Sequence, residues 1–209
     1  MAPVGRTLTA LAFLAVLFAA ALMTDDAVAA WMQDCKTPLL DLLVGVINPI
    51  GSGVTLLVAC LALVAVSRPL GRSRLNDAAW LAALAFASTG LVEFTLKHLI
   101  GRPRPDTALA AAGLFGPSFA HDIDSFPSGH ATSVFAVATV FAAYYPRLRW
   151  LLYGLATAIA VGRVYLERHY ASDIFAGALL GVLGAALLLR YRHTLPGRML
   201  LHPPADHLR

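Results

Sequence analysis

Apolar residues fall along this chain in long blocks, separated by short clusters rich in arginine, proline and glycine. A helix that crosses a bilayer needs about 20 mostly apolar residues, with a range of about 17–25. Six blocks approach that length: Thr7–Met23, Gly51–Val66, Ala78–Ile100, Ala131–Tyr145, Leu148–Leu166 and Ile174–Leu189. The second can begin earlier, because Leu39–Ile50 is also apolar, and the fourth starts near Pro127. Apolar residues occupy every side of these blocks, as in helices surrounded by lipid or by other helices. The pattern predicts an all-α fold, a six-pass transmembrane helical bundle forming one domain over residues 1–209. Trp31–Asn48 is expected near the outer interface as a partly amphipathic segment. Asn48-Pro49 and Gly51-Ser52-Gly53 are turn signals before the second pass. Thr194–Arg209 is expected to be a mobile cytoplasmic tail.

The first block has two readings. Met1–Arg6 is a short basic start, and Ala27-Val28-Ala29 resembles a signal-peptidase site. Asp25 and Asp26 fit that site poorly, so a retained helix is expected, with a cleaved signal as the alternative. Trp31 lands outside in both cases. With the N-terminus inside, the inner segments carry ten Lys/Arg: Arg6, Arg68, Arg72, Arg74, Arg147, Arg149, Arg190, Arg192, Arg198 and Arg209. The outer segments carry six: Lys36, Lys97, Arg102, Arg104, Arg163 and Arg168. The bias has the usual positive-inside sense. Five of the outer six gather at Lys97–Arg104 and Arg163–Arg168, against that rule, and invite a functional explanation.

Composition agrees. Charged residues are 13% of the 209, about half the usual share in soluble domains. With 58% hydrophobic residues and a mean hydropathy of +0.70, a soluble globule, a disordered chain and a disulfide scaffold are excluded. A net charge of +4 could suggest nucleic acid, but the arginines lie between apolar blocks and are better read as setting orientation. Cys60 sits inside an apolar block, so no Cys35–Cys60 bridge and no redox chemistry is expected. The small size and short loops suit a bacterial cytoplasmic (inner) membrane.

Three polar clusters are left over, and the six-pass topology puts all three at the outer face. Lys97-His98-Leu99-Ile100-Gly101-Arg102-Pro103-Arg104-Pro105 ends the third pass. Lysine as a point charge and arginine as a planar fork suit a phosphate; the alternative is a snorkelling basic helix end. Ser125-Phe126-Pro127-Ser128-Gly129-His130 opens the fourth pass. A helix N-terminus favours anions. Ser128 offers a hydroxyl, Gly129 allows close approach to the backbone, and His130 can exchange a proton near neutral pH. The alternative is a capped helix start. In Arg163–Asp173, His169 and Asp173 are four apart and share a helix face. A carboxylate beside an imidazole makes a nucleophile or base; the alternative is a structural pair.

Together the clusters resemble the type-2 phosphatidic acid phosphatase superfamily, whose pattern is K-x6-R-P, P-S-G-H and S-R-x5-H-x3-D. Lys97, Arg104 and Pro105 meet the first part, Pro127–His130 the second, and Arg163, His169 and Asp173 the third. Gly162 stands where the family has serine, so one hydroxyl that would serve the phosphate or the helix end is missing. The resemblance implies a motif core over residues 97–173 and a metal-independent membrane phosphatase acting on a lipid phosphate or diphosphate. It implies that His169 attacks phosphorus and becomes a phospho-histidine, that Asp173 holds His169, and that His130 protonates the leaving oxygen and then activates water. Lys97, Arg104, Arg163, Ser128 and Gly129 would hold the phosphoryl oxygens. Candidate substrates are undecaprenyl diphosphate, phosphatidylglycerol phosphate, phosphatidic acid and lipid A.

Other residues are less determined. Glu93 is four before Lys97 and either orients or neutralises it. Arg102 and Arg168 could touch substrate or lipid headgroups. His121, Asp122 and Asp124 could bind a metal but are expected to be solvated. Phe115, Phe119 and Phe126 are expected to anchor the loop at the interface, with a lipid entrance as the alternative. Competing functions are a lipid phosphotransferase, a vanadium-dependent haloperoxidase and a non-enzymatic lipid binder or transporter.

Overall fold

The computed structural model describes residues 4–110, 116–120 and 122–192, and every described regular element is helical. Phe115, His121 and the tail Thr194–Arg209 lie outside the described residues. Among the described residues seven α-helices follow one another: α1 (Val4–Asp34), α2 (Pro38–Ile47), α3 (Gly53–Ser67), α4 (Ser73–Ile100), α5 (Gly129–Tyr144), α6 (Arg149–Tyr165) and α7 (Ala171–Tyr191). α1, α4 and α7 are long and apolar enough to cross a membrane. α2 and α3, bent by 56° at the 3-10 turn Asn48–Gly51, can count as a fourth span. α5 has 16 residues and α6 has 17, so each is about 24–26 Å long at 1.5 Å per residue.

Local chemistry sets the helix ends. Thr37 Oγ1 accepts from Leu40 N–H (3.2 Å) ahead of Pro38, and Ser52 Oγ accepts from Thr55 N–H (3.1 Å), so α2 and α3 each begin at a hydroxyl cap. α4 ends at Gly101, whose left-handed φ of 56° lets its N–H reach Lys97 O (3.0 Å). The expected first pass, Thr7–Met23, is too short. α1 runs unbroken to Asp34, through Ala27–Ala29, because Asp25 is buried rather than solvated. Trp31–Asn48 is accordingly split between the end of α1 and α2 instead of forming one interfacial segment.

α5 is the centre of the packing, with α4, α6 and α7 around it. Small residues let the helices close in. A Cβ at Gly177 would meet Ser128 O, and one at Gly181 would meet Thr132 O, so α7 lies directly on the α5 backbone. Ala82, Ala85, Ala136 and Ala185 fill the α4–α5–α7 core with Leu81, Val140 and Leu189. Val134 and Ala138 of α5 pack on Ala156 and Ile159 of α6. Phe13, Val16, Val54, Leu91, Leu183 and Leu187 remain exposed, as lipid-facing side chains would be. Cys35 and Cys60 are both free.

Candidate active site

α4 and α6 end, and α5 and α7 begin, at one end of the bundle. The close α5–α7 contact brings Ser128 N–H onto Asp173 O (3.1 Å), and Ser125 N–H donates to Arg102 O (2.9 Å). The three sequence clusters therefore meet.

His169 lies between α6 and α7 and is 2% exposed. Its Nδ1 is 2.8 Å from Ser125 O. A carbonyl can only accept, so Nδ1 carries the proton and the lone pair is on Nε2. Asp173 stands beside this ring, with Oδ2 3.7 Å from Nδ1, longer than a hydrogen bond. Other donors hold the carboxylate. Oδ2 accepts from Tyr170 N–H (2.8 Å) and the Ser125 hydroxyl (2.6 Å), and Oδ1 accepts from Arg102 Nη1 (2.6 Å). Burial pushes the His169 imidazole below its usual range, and outweighs the opposing pull of Asp173.

His130, in the first turn of α5, is within electrostatic reach of Arg163, His169, Lys97 and Arg104. Lys97 Nζ is 2.7 Å from Glu93 Oε1, so the two form an ion pair. The Glu93 carboxylate also sits 3.1 Å from where a Gly129 Cβ would stand, against the positive end of α5. Arg104 grips Asp124 with Nε (2.7 Å) and Nη2 (2.8 Å). That bond holds Arg104 charged; for Asp124, burial opposes ionisation but Arg104 keeps the carboxyl below its usual range. Asp124 is thus ion-paired rather than solvated, while Asp122 is exposed. No group of three His, Cys, Asp or Glu among the described residues could hold a metal. Ser128 is fully buried, and its Oγ accepts from Ala131 N–H (3.4 Å) as the α5 cap. The oxygen caps the helix end as an acceptor, and that bond does not use the hydroxyl proton.

The sequence profile of the PAP2 superfamily matches residues 78–196. The chain belongs to this superfamily. Lipid A 1-phosphatase of Rhizobium etli is 38% identical over 108 residues, 49% of this chain and 46% of that protein. A putative undecaprenyl-diphosphatase of Escherichia coli, YbjG, is 38% identical over 107 residues, 49% of this chain and 50% of that protein. The chain spans about half the length of the curated relatives it matches. In fold it resembles the crystal structure of a transmembrane PAP2-type phosphatidylglycerolphosphate phosphatase from Bacillus subtilis. The TM-score is 0.69 at 23% identity, over 91% of this chain and 97% of that one.

In this PAP2 protein the sequence reading missed a buried charge network behind the histidine. Asp25, on α1 and 3% exposed, accepts from Arg102 Nη2 (2.7 Å) and from Ser172 N–H (2.9 Å) and its hydroxyl. Arg102 bridges Asp25 to Asp173 and lies over the Tyr170 ring at 4.0 Å. Burial disfavours its charge, but Asp173 and Asp25 raise its affinity for the proton. Arg102 is therefore held inside the protein, away from lipid headgroups. The available signal was Asp25 itself, an acid between the apolar block Thr7–Met23 and the apolar Ala27-Val28-Ala29. Arg168, half-exposed, pairs with Asp106 (2.8 Å) at the rim. Phe126 packs on Phe18 of α1 (ring centroids 5.9 Å apart), while Phe119 stacks on His98 (4.6 Å) and is largely exposed.

Proposed function

We propose that this chain is a six-pass enzyme of a bacterial inner membrane. In this reading it hydrolyses a lipid phosphate or diphosphate at the periplasmic face, through a phospho-histidine. The observation that carries the reading is a buried His169 with its proton fixed on Nδ1 by Ser125 O, leaving an Nε2 lone pair near Lys97 and Arg163.

In the first step the Nε2 lone pair forms a bond to phosphorus and the bond to the lipid oxygen breaks. His130, carrying a proton, gives it to that oxygen. Asp173 stabilises the charge that builds on the ring, acting across 3.7 Å. In the second step water attacks phosphorus, His130 takes its proton, the N–P bond breaks and phosphate leaves. Phosphoryl transfer places its demand on positioning and on charge at the equatorial oxygens. Lys97, Arg104 and Arg163 supply positive charge there, the Gly129 backbone gives the oxygens room at the α5 N-terminus, and no step calls on a metal. Lys97 exchanges Glu93 for the phosphate as substrate enters. The lipid tail stays in the bilayer throughout.

The test is phosphate release by purified protein in detergent. The panel holds undecaprenyl diphosphate, phosphatidylglycerol phosphate, phosphatidic acid and lipid A, with and without a chelator. Release from one of them, insensitive to chelation and blocked by orthovanadate, is expected. Release from none, or loss on chelation, contradicts the reading. In ¹⁸O-labelled water the released phosphate should carry label; transfer to a lipid acceptor instead would make the enzyme a phosphotransferase.

The pH profile gives a second check. Protonating Nε2 removes the nucleophile, so kcat/KM falls as pH drops through the His169 pKa. Burial lowers that pKa, so the acid limb is expected below the ordinary imidazole value of about 6.5. A limb above it would mean that His169 rests protonated.

A further inference from the structure

We propose that Asn48, on the turn between α2 and α3, is a positioning residue that aims Arg163 at the phosphoryl group. The inference rests on the phosphatase reading above. Gly162, directly before Arg163 on α6, has no side chain, and its space is taken. A Cβ there would collide with Asn48 Nδ2 and come within 3.3 Å of Val44 Cγ1. The side chain that serves this corner of the site thus comes from a segment more than a hundred residues earlier in the chain.

The amide has one consistent orientation. Asn48 is 4% exposed, and one end lies 3.4 Å from Ile159 O, which can only accept. That end is therefore the NH₂ group. The other end is the oxygen, and Arg163 Nη1 donates to it at 3.1 Å. Ile159 is one helical turn before Arg163, so Asn48 is fixed to the same helix whose arginine it holds. Pro49 supports the placement, because it breaks the helix beside Asn48, and the 3-10 turn that follows packs on α6. Arg163 keeps donors for a ligand: its Nε is buried with no hydrogen-bond partner. A buried guanidinium nitrogen without a partner is costly, and a phosphoryl oxygen would satisfy it.

Sharing one space between positions 48 and 162 predicts a crossed pattern of effects. Asn48→Ala is expected to raise the Ki for orthovanadate roughly tenfold or more, the usual weight of a hydrogen bond to a charged group. Gly162→Ser alone also weakens binding, because the added side chain meets the Asn48 amide. The double variant Asn48→Ala/Gly162→Ser should bind vanadate better than either single one, since the hydroxyl enters the vacated space beside Arg163. In an Arg163→Ala background, Asn48→Ala should change the Ki by less than about twofold, because the arginine it holds is gone. A packing role alone would lower the melting temperature in detergent and leave the Ki unmoved. The proposal is overturned if Asn48→Ala leaves the Ki unchanged, if the two substitutions add, or if the Asn48 effect persists without Arg163. A wild-type protein that neither releases phosphate nor binds vanadate would overturn the phosphatase reading and this one together. A wild type that does both while Asn48→Ala matches it overturns the Asn48 role alone.

Discussion

His169→Ala is expected to reduce phosphate release by roughly 10⁴-fold or more, the scale of losing a covalent nucleophile. The ring is buried, its proton is fixed on Nδ1 by Ser125 O, and His130 lies within its electrostatic reach. No other described side chain combines these features. The protein should still fold, because the loss frees one backbone acceptor and a small cavity, costs of about 1–3 kcal/mol. Binding of orthovanadate, which the cations govern, should survive better than turnover. A variant that keeps more than about a tenth of the wild-type rate would mean that His169 is not the attacking group.

Arg102→Ala is expected to have the largest effect on stability. Arg102 separates two buried carboxylates, with Asp25 at 2.7 Å and Asp173 at 2.6 Å. Removing it leaves two like charges in a dry site, and breaking such a buried pair costs about 3–5 kcal/mol. The thermal midpoint in detergent should fall sharply and activity should fall with it. Adding Asp25→Asn removes one of the stranded charges and should recover part of the midpoint, a coupling that independent sites would not show. An unchanged midpoint in Arg102→Ala would mean that the network carries no stability. The same network speaks to α1. Signal cleavage after Ala29 would remove Asp25 from the site, and with it the acceptor for Ser172 N–H, so the account expects α1 to be retained.

The sequence made much of this fold legible. Ala78–Ile100, Ala131–Tyr145, Leu148–Leu166 and Ile174–Leu189 each lie within a few residues of α4, α5, α6 and α7. Their apolar runs and Pro/Gly borders are strong local signals. α1 overran its block because a buried acid looks in sequence like a solvated one. The α2–α3 bend was visible as Asn48-Pro49, but its purpose was not, since the partner Arg163 is distant in the chain. The His169–Asp173 spacing showed the two side by side, but not that the ring's hydrogen bond goes to the carbonyl of Ser125. A backbone acceptor carries no side-chain signature, so residue identities could not reveal it. The partners of Ser128 and Arg102 were hidden for a related reason. Both types suit a phosphate, and only packing shows that one caps a helix and the other holds two carboxylates.

A phospho-histidine on His169 can be trapped. A lipid phosphate that the enzyme accepts, labelled with ³²P, would be mixed with the wild-type enzyme and sampled within the first turnover, because a variant without His130 would be slow in both steps. The reaction would be quenched in base, where phospho-histidine survives, and the peptides mapped. Label is expected on the peptide carrying His169, and none in His169→Ala. Label on another residue, or turnover by the wild type with no covalent protein species at any time, would contradict the phospho-histidine.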